Sequence, residues 1–348
     1  MRRFLLALLA WSALSAHAFD PVVPGKALQF PRDYGSHPGH RLEWWYVTGH
    51  LESARGPLGF QVTFFRVRNP DAESLPGRFS PRQVLFAHAA LADTSNGRFL
   101  HDQRIGRQLA DLVEARVDDT GVRIDDWTLA RESGSYRTRI EAEGFTLDLA
   151  LTPTQPVLLQ GDRGFSRKGP RPEQASYYYS EPQLRVEGKV RAHGETLSVR
   201  GVAWLDHEWS SELLAADASG WDWLGANLDD GGALTAFRIR AKDGRTLWAT
   251  ATYRAPGKEP VSFAREAVEF MPLRSWKSPR TGTEYPVAME VRVAQRSYRL
   301  EPLLDDQELD ARATIGTLYW EGAVRVTGPG GAGRGYLELT GYAGRVPL

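Results

Sequence analysis

The feature that most constrains the fold is an alternation of apolar and polar side chains with a period of two residues. In residues 184–190 one leucine and two valines fall on one face and charged side chains on the other. The same pattern occurs in residues 147–151, 289–293, 324–326 and 336–340. Since successive side chains of a strand point to opposite faces, each segment predicts a β-strand with one buried and one solvated face.

Glycine-containing turn sequences separate the predicted strands. They lie at residues 95–97, 119–121, 230–232, 243–244 and 328–331. Residues 107–117 are equally compatible with a short helix and a strand, and no glycine-rich phosphate loop stands between a strand and a helix. Because many antiparallel strands must close into barrels or stack as sandwiches to protect their edges, we predict an all-β protein.

The composition excludes several classes of function. Lys+Arg and Asp+Glu are both 43, so no positive charge is left over for phosphate, and nucleic acid is not an expected partner. The absence of cysteine excludes thiolate nucleophiles, disulfides and cysteine-ligated metals. His37 and His40 flank a turn-like Pro-Gly, and no helical His-Glu-x-x-His is present, so we expect no metal and no cofactor.

The N-terminus has the pattern of a secretory signal peptide. Arg2 and Arg3 precede an apolar run at residues 4–14, which is too short to cross a membrane, and a small-x-small site ends at Ala18. We predict cleavage after Ala18, an exported protein that is periplasmic or secreted, and no integral membrane segment in the mature chain.

Two observations predict two domains. The chain of 348 residues exceeds the usual size of one hydrophobic core, and it contains a weak internal repeat. Residues 44–51 are similar to residues 221–228, and a Phe-Arg-x-Arg sequence follows at residues 65–68 and 237–240. Chance similarity between two amphipathic hairpins is the alternative. The predicted domains are residues 19–213 and 214–348.

The strongest candidate for a catalytic site is the segment WLDHEWSS at residues 204–211. On a strand, Asp206 and Glu208 share one face and His207 points to the other. An aromatic wall desolvates a carboxylate and raises its pKa, so it can donate a proton near neutral pH; a histidine can relay that proton and tryptophan faces can stabilise a cation. We predict Asp206, His207, Glu208 and Trp209 as catalytic residues. The alternative is a buried polar network that fixes the domain junction.

Further aromatic and acidic residues are predicted to bind a substrate. They are Glu43, Trp44, Trp45, Tyr177, Tyr179, Trp221, Asp222 and Trp223. The alternative for Glu43 is an ion pair with Arg41 or Arg66 that closes one end of a barrel. The alternative for the two tyrosines, which share one face of an extended chain, is that they cover the barrel rim.

Six segments together resemble one protein family over nearly the whole predicted mature chain. They are LEWWYVTGHL at 42–51, QVTFFR at 61–66, SRKG at 166–169, AWLDHEWSS at 203–211, GWDW at 220–223 and ELTGY at 338–342. The family is the carotenoid 1,2-hydratase-like proteins, also called AttH-like or predicted secreted hydrolases. The resemblance implies two tandem lipocalin-like antiparallel β-barrels.

The resemblance also implies a reaction, in which water adds across an isoprenoid double bond without a redox cofactor. Asp206 or Glu208 would be the acid, His207 the relay, and Trp209 or Trp221 the neighbour of the cation. Only His207 and Trp209, as His-x-Trp, match the hydratases by motif. The expected partner is a hydrophobic small molecule: an isoprenoid, polyene or lipid. A non-catalytic carrier of such a ligand stays open, as does a secreted hydrolase, although the Gly-x-Ser-x-Gly nucleophile sequence is missing.

Overall fold

The computed structural model describes residues 19–77, 79–212 and 214–344. Within these residues the chain forms 23 strands and three short 3-10 helices, which confirms the all-β prediction. The 3-10 helices are Arg32–Tyr34, Pro70–Ala72 and Arg265–Ala267. The predicted signal peptide, residues 1–18, lies outside the described residues.

The first thirteen strands form one antiparallel sheet. They are β1 (Leu42–Ser53), β2 (Gly56–Arg68), β3 (Gln83–Asp93), β4 (Arg98–Arg107), β5 (Val113–Ala115), β6 (Gly121–Ile124), β7 (Trp127–Glu132), β8 (Ser135–Ala142), β9 (Phe145–Thr152), β10 (Leu158–Leu159), β11 (Phe165–Arg167), β12 (Ala175–Ala192) and β13 (Glu195–Glu212). The order is β4-β3-β2-β1-β13-β12-β9-β8-β7-β6-β5, with β10 and β11 also paired to β12. Residues 107–117, whose sequence is compatible with both a helix and a strand, contain the end of β4 and all of β5.

The remaining strands form a second antiparallel sheet. They are β14 (Ala218–Leu228), β15 (Ala233–Ala241), β16 (Thr246–Arg254), β17 (Val261–Phe263), β18 (Val268–Lys277), β19 (Glu284–Val293), β20 (Arg296–Pro302), β21 (Glu308–Ala311), β22 (Thr317–Gly328) and β23 (Gly331–Thr340). The order is β17-β16-β15-β14-β23-β22-β20-β19-β18, with β21 paired to β22. The predicted turns at residues 95–97, 230–232, 243–244 and 328–331 all fall between consecutive strands.

Each sheet curls into a barrel or half-barrel around its own apolar core. On β1, Trp45 and Val47 point into the N-terminal core, whereas Trp44 and Tyr46 point out of it. β13 ends at Glu212 and β14 begins at Ala218. The predicted boundary falls in this connection, and the division into independent domains stays a prediction.

The strand registers show how the two halves correspond. In both sheets the first strand pairs with the second strand and with the last. Trp44 of β1 lies opposite Phe65 on the second strand and Glu208 on the last strand. In the other sheet Trp223 of β14 lies opposite Phe237 and Glu338 in the same way. The sequence match of Trp44 with Trp221 lies two residues outside this register, since Trp221 pairs with Ile239 and Thr340.

The two sheets pack against each other through their outer faces. A third cluster of buried apolar residues lies between them and includes Tyr46, Trp204 and Trp223. The backbones come close where a Cβ added to Gly59 would lie 2.5 Å from the Cβ of Ala323. No helix in the described ranges is long and apolar enough to span a membrane.

Candidate active site between the two sheets

Strand β13 divides the predicted catalytic cluster into two. His207 and Trp209 point into the N-terminal barrel, and Trp209 belongs to its core. Asp206 and Glu208 point the other way, toward the C-terminal sheet, and line a cleft there. A proton relay from Asp206 through its sequence neighbour His207 is therefore not supported, because the backbone of β13 lies between the two side chains.

The cluster inside the N-terminal barrel centres on the Glu43 carboxylate. His37 Nδ1 and His207 Nε2 both donate to Oε1 at 2.8 Å, while Arg66 Nε at 2.9 Å and the backbone N–H of His37 at 2.8 Å donate to Oε2. Burial alone would raise the pKa of Glu43, but the charges of His37 and Arg66 and the two histidine hydrogen bonds hold this pKa well below its ordinary value. The predicted ion pair of Glu43 is thus made with Arg66 and not with Arg41.

His207 is completely enclosed in this cluster. It stacks on Trp45 with ring centroids 4.6 Å apart, and Tyr179 Oη donates to Nδ1 at 3.0 Å. Burial lowers the pKa of His207 to about 4, in spite of the hydrogen bond to Glu43. The imidazole is therefore neutral at neutral pH, with its proton on Nε2, and the arrangement is a hydroxyl–imidazole–carboxylate chain that is closed to solvent.

Three residues of this cluster could hold a metal ion by their spacing: His37, Glu43 and His207 have ligand atoms that all lie within 4.8 Å of one another. However, each oxygen of Glu43 already accepts two hydrogen bonds. A cation would have to displace the histidine protons from Oε1 beside the charged Arg66. The donor set therefore fits a structural network better than a metal centre, and we derive no chemistry from a metal.

The outer faces of the two sheets enclose a cavity of about 170 Å³. Apolar and aromatic side chains from both sheets form most of its wall: Leu42, Trp44, Phe65, Val67, Phe86, Leu214, Trp221, Trp223, Phe237, Ile239 and Ile315. Five carboxylic residues also line it: Glu43, Asp206, Glu208, Glu321 and Glu338. An apolar cavity with a few polar groups is the usual form of a small-molecule site.

Asp206 is held rigidly at the N-terminal wall of the cleft. Its Oδ1 accepts from Ser180 Oγ at 2.5 Å and Trp204 Nε1 at 2.6 Å, and its Oδ2 accepts from Tyr178 Oη at 2.5 Å. Burial raises the pKa of Asp206 to about 7, although these hydrogen bonds oppose the shift. The carboxyl group therefore exists in both protonation states near neutral pH, as the aromatic surroundings had predicted.

Glu208, two residues along β13, has a different environment. Lys168 Nζ lies 2.8 Å from its Oε1, and both side chains are nearly buried. The same ammonium lies 4.0 Å from the ring centroid of Phe237 and 4.7 Å from that of Tyr178. Lys168 therefore places an ammonium group at the junction of the two sheets, and Glu208 is its salt-bridge partner.

Two tryptophans of β14 line the C-terminal wall of the cleft. Trp221 Nε1 donates to Glu338 Oε1 at 2.8 Å, and Trp223 Nε1 donates to Tyr178 Oη at 3.1 Å across the junction. Asp222, between them, faces the interior of the C-terminal barrel, where Arg238, Arg240 and Tyr342 donate to it. Asp222 is therefore separated from the cleft, in contrast to the prediction that it binds substrate beside its neighbours.

The structure thus distributes the predicted residues over three places. The cleft contains Asp206, Glu208, Trp44, Trp221 and Trp223. The N-terminal barrel contains Glu43, Trp45, Tyr177, Tyr179, His207 and Trp209, with Glu43 also bordering the cavity, and the C-terminal barrel contains Asp222. A direct contact of the tyrosines with a cleft ligand is not supported, because both side chains belong to the barrel core.

Several polar residues at the cleft were not predicted from the sequence, among them Lys168, Tyr178, Glu321 and Glu338. A signal was present for three of these four. Lys168 and Glu338 lie within two of the segments that resemble the family, and Tyr178 stands between Tyr177 and Tyr179, which were predicted to bind substrate. Glu338 also follows the strand alternation, which assigned it to a solvated face.

The comparisons with known proteins agree with this architecture. The family model AttH-like matches residues 21–342. An AttH protein from Nitrosomonas europaea has a crystal structure with 54% identity and a TM-score of 0.87, covering 93% of this chain and 100% of that one. Kievitone hydratase from Nectria haematococca shares the fold at 17% identity and a TM-score of 0.70, covering 94% of this chain and 98% of that one.

The structure of CghA with Sch210972 gives 17% identity and a TM-score of 0.56, covering 88% of this chain and 90% of that one. At such identity the hydratase and CghA structures show the fold alone, which is the predicted lipocalin-like one. No protein among the curated ones matches the chain. The family model covers nearly all of the described residues, and the Nitrosomonas protein is similar to the chain over its own whole length, so the chain belongs to the AttH-like family.

Proposed function

We propose that the protein binds an apolar, unsaturated small molecule in the cleft between its two sheets and adds water to a carbon–carbon double bond by acid catalysis. The observation that carries this proposal is the combination of an aromatic-walled cavity with buried carboxyl groups. Burial raises the pKa of Asp206 and of Glu338 to about 7 in each case. A carboxyl group with such a pKa can give up or take a proton at physiological pH.

The chemistry follows from the surroundings of the cavity. Protonation of an alkene carbon produces a carbocation on its neighbour, and water then captures that cation. Trp44 and Trp221 present aromatic rings to the cavity, and such rings attract a developing positive charge. Exclusion of bulk water by the two sheets strengthens the attraction between the aromatic rings and the cation and limits premature capture of the cation.

The size of the cavity narrows the substrate class. An apolar cavity of about 150 Å³ holds a molecule such as benzene, and this one has about 170 Å³. A single isoprenoid unit or ring fits this space, whereas a complete carotenoid does not fit inside it. The substrate is therefore a compact unsaturated molecule or the end of a longer one that projects from the cleft.

The relatives support the choice of a hydration assay but do not decide it. Kievitone hydratase is named for a hydration reaction, and CghA was crystallised with the small molecule Sch210972. Both share the paired arrangement of curled sheets, although their low identity limits the support to the fold. The carotenoid as a specific substrate receives no support from these names.

A non-catalytic carrier of an apolar ligand is the second candidate. The observation that favours it is that Asp206 already has three hydrogen-bond donors and that Glu208 is paired with Lys168. In a carrier, polar groups whose hydrogen bonds are satisfied within the protein have a structural role and hold the two sheets together. Under both candidate functions we propose that the chain is cleaved after Ala18 and exported. Determination of the N-terminal sequence of the protein from its native host would test this.

The deciding experiment combines ligand identification with an isotope assay. Native mass spectrometry of the purified protein identifies co-purifying apolar compounds, and these and short isoprenoid alkenes are then incubated in H₂¹⁸O. Incorporation of one ¹⁸O by the unmodified protein, absent from a sample without protein, supports an enzyme. Binding without any incorporation by the unmodified protein would refute catalysis and leave the carrier.

A further inference from the structure

Two carboxyl groups, one buried and one half-buried, face each other across neighbouring strands of the C-terminal sheet. Glu321 on β22 is the direct register partner of Glu338 on β23, and both side chains line the cleft. Side chains in such a position have Cβ atoms about 4.5–5.5 Å apart. Neither residue is needed to complete a core, since the cores of this sheet are formed by the alternate residues, such as Trp320 and Leu339.

Each of the two carboxyl groups is tied down through one oxygen. Tyr46 Oη donates to Glu321 Oε1, and Trp221 Nε1 and Thr340 Oγ1 donate to Glu338 Oε1 at 2.8 and 2.9 Å. Among the residues at positions 19–77, 79–212 and 214–344, no hydrogen bond to either Oε2 is found. Each group is therefore oriented by the protein and keeps one oxygen for a ligand.

The charges around the pair give the two groups different protonation states. Burial and the neighbouring Glu338 raise the pKa of Glu321 well above its ordinary value, so Glu321 keeps its proton. Burial, with the charges of Glu208 and Asp222, raises the pKa of Glu338 only to about 7. Two like charges this close cannot both persist in a buried site, which is the arrangement that separates an acid from a base.

Resting on the proposed hydration function, we propose that Glu321 and Glu338 are its acid–base pair. Glu321 donates its proton from Oε2 to one alkene carbon, the π bond breaks, and the other carbon becomes a cation. The oxygen of a water molecule forms a bond to that carbon while Glu338 takes one water proton. Transfer of this proton from Glu338 to the Glu321 carboxylate restores the starting state, so one water molecule is consumed for each alcohol formed.

Asp206 then acts as a positioning residue. Both of its oxygens are used by donors of the N-terminal sheet, whereas Glu321 and Glu338 each have an oxygen to spare. Its hydrogen bond with Tyr178 fixes the hydroxyl that holds Trp223. Loss of Asp206 is expected to shift the side chains of the cleft wall. It should reduce turnover less than loss of Glu321 or Glu338.

The test compares three isosteric variants: Glu321→Gln, Glu338→Gln and Glu181→Gln. Glu181 is the matched control because it is buried, has a raised pKa and accepts a hydrogen bond from Tyr136, as Glu321 does from Tyr46, but it does not line the cleft. We expect the two cleft variants to lose about 10²–10⁴-fold in the rate of ¹⁸O incorporation, with ligand affinity unchanged. The control should retain the full rate.

A second measurement does not depend on the identity of the substrate. Infrared spectra at neutral pH should contain the carbonyl-stretching band of a protonated carboxyl group that is removed in Glu321→Gln, and circular dichroism should show that the variant is folded. If the unmodified protein incorporates ¹⁸O and the Glu321→Gln variant does so at the same rate, the acid–base assignment is overturned but the proposed hydration function is not. An unmodified protein that binds ligand but never incorporates ¹⁸O would remove the proposed function and this pair's role with it.

Discussion

Replacement of Glu43 by glutamine should destabilise the protein strongly, because Glu43 compensates a buried positive charge. Arg66 is 1% exposed, and its Nε lies 2.9 Å from Glu43 Oε2. Glutamine keeps the shape but removes the negative charge, and its amide N–H₂ would face a donor on one side. Breaking a buried ion pair through one partner costs about 3–5 kcal/mol.

The expected loss is near the lower limit of that range. Arg66 keeps its other acceptors, which are Gln83 Oε1 at 2.8 Å and the carbonyl oxygens of His37 and His40 at 3.0 and 3.1 Å. These contacts satisfy the N–H groups but do not neutralise the charge. We therefore expect the free energy of unfolding to fall by about 3 kcal/mol.

Urea unfolding followed by tryptophan fluorescence measures this loss as a shift in midpoint at constant slope. The matched control is Glu52→Gln, because the Glu52 side chain is 55% exposed and pairs with Arg200 and Arg334 at 3.4 Å. Such a surface pair contributes about 0–1 kcal/mol. A Glu43→Gln loss no greater than that of the control would refute the view that the barrel cluster depends on the Glu43 charge.

Three further predictions concern pH, sheet packing and the barrel cluster. The pKa of Asp206 is raised from 3.8 to about 7, so its contribution to stability is complete below pH 3.8 and is lost as pH rises through 7; unfolding at pH 5 and 8 should show a loss of about 2–3 kcal/mol that is smaller in Asp206→Asn. Gly59→Val should cost about 1–3 kcal/mol by forcing the sheets apart at Ala323, and an unchanged ligand affinity would contradict a cleft that depends on this contact. Tyr179→Phe removes the hydrogen bond to His207 Nδ1 and should reduce stability by about 1 kcal/mol without a change in ligand binding, as measured by calorimetry.

Five strand segments, most of the turns and the opposite orientation of neighbouring side chains in the WLDHEWSS segment were predictable, because alternation and glycine turn sequences are local signals. Trp44 to Val47 is apolar on both faces, a pattern typical of a strand covered on both sides, but the predictions did not include this signal. The location of the site was not predictable in the same way. Glu338 alternates with Leu337 and Leu339, a pattern typical of a solvated face, and it is half-buried because it lines the cavity between the two sheets.

The polar partners within each barrel depend on long-range contacts for the same reason. His37 precedes β1 by several residues, yet it donates to Glu43 from the segment that covers one end of the barrel. Lys168 reaches Glu208 and Phe237, which belong to different sheets. No local pattern specifies these pairs, since the charge that each residue meets is brought in by a distant part of the chain.

The pairing of the first strand of each sheet with its last strand has a consequence for how the chain acquires its structure. β1 cannot complete its hydrogen bonds until β13 has been synthesised, and β14 has to wait for β23. Such sequence-distant contacts slow folding, and they leave strand edges open in the meantime. All strands of the N-terminal sheet are synthesised before those of the C-terminal sheet, and the cleft, which contains residues of β23, can form only after that last strand has been made.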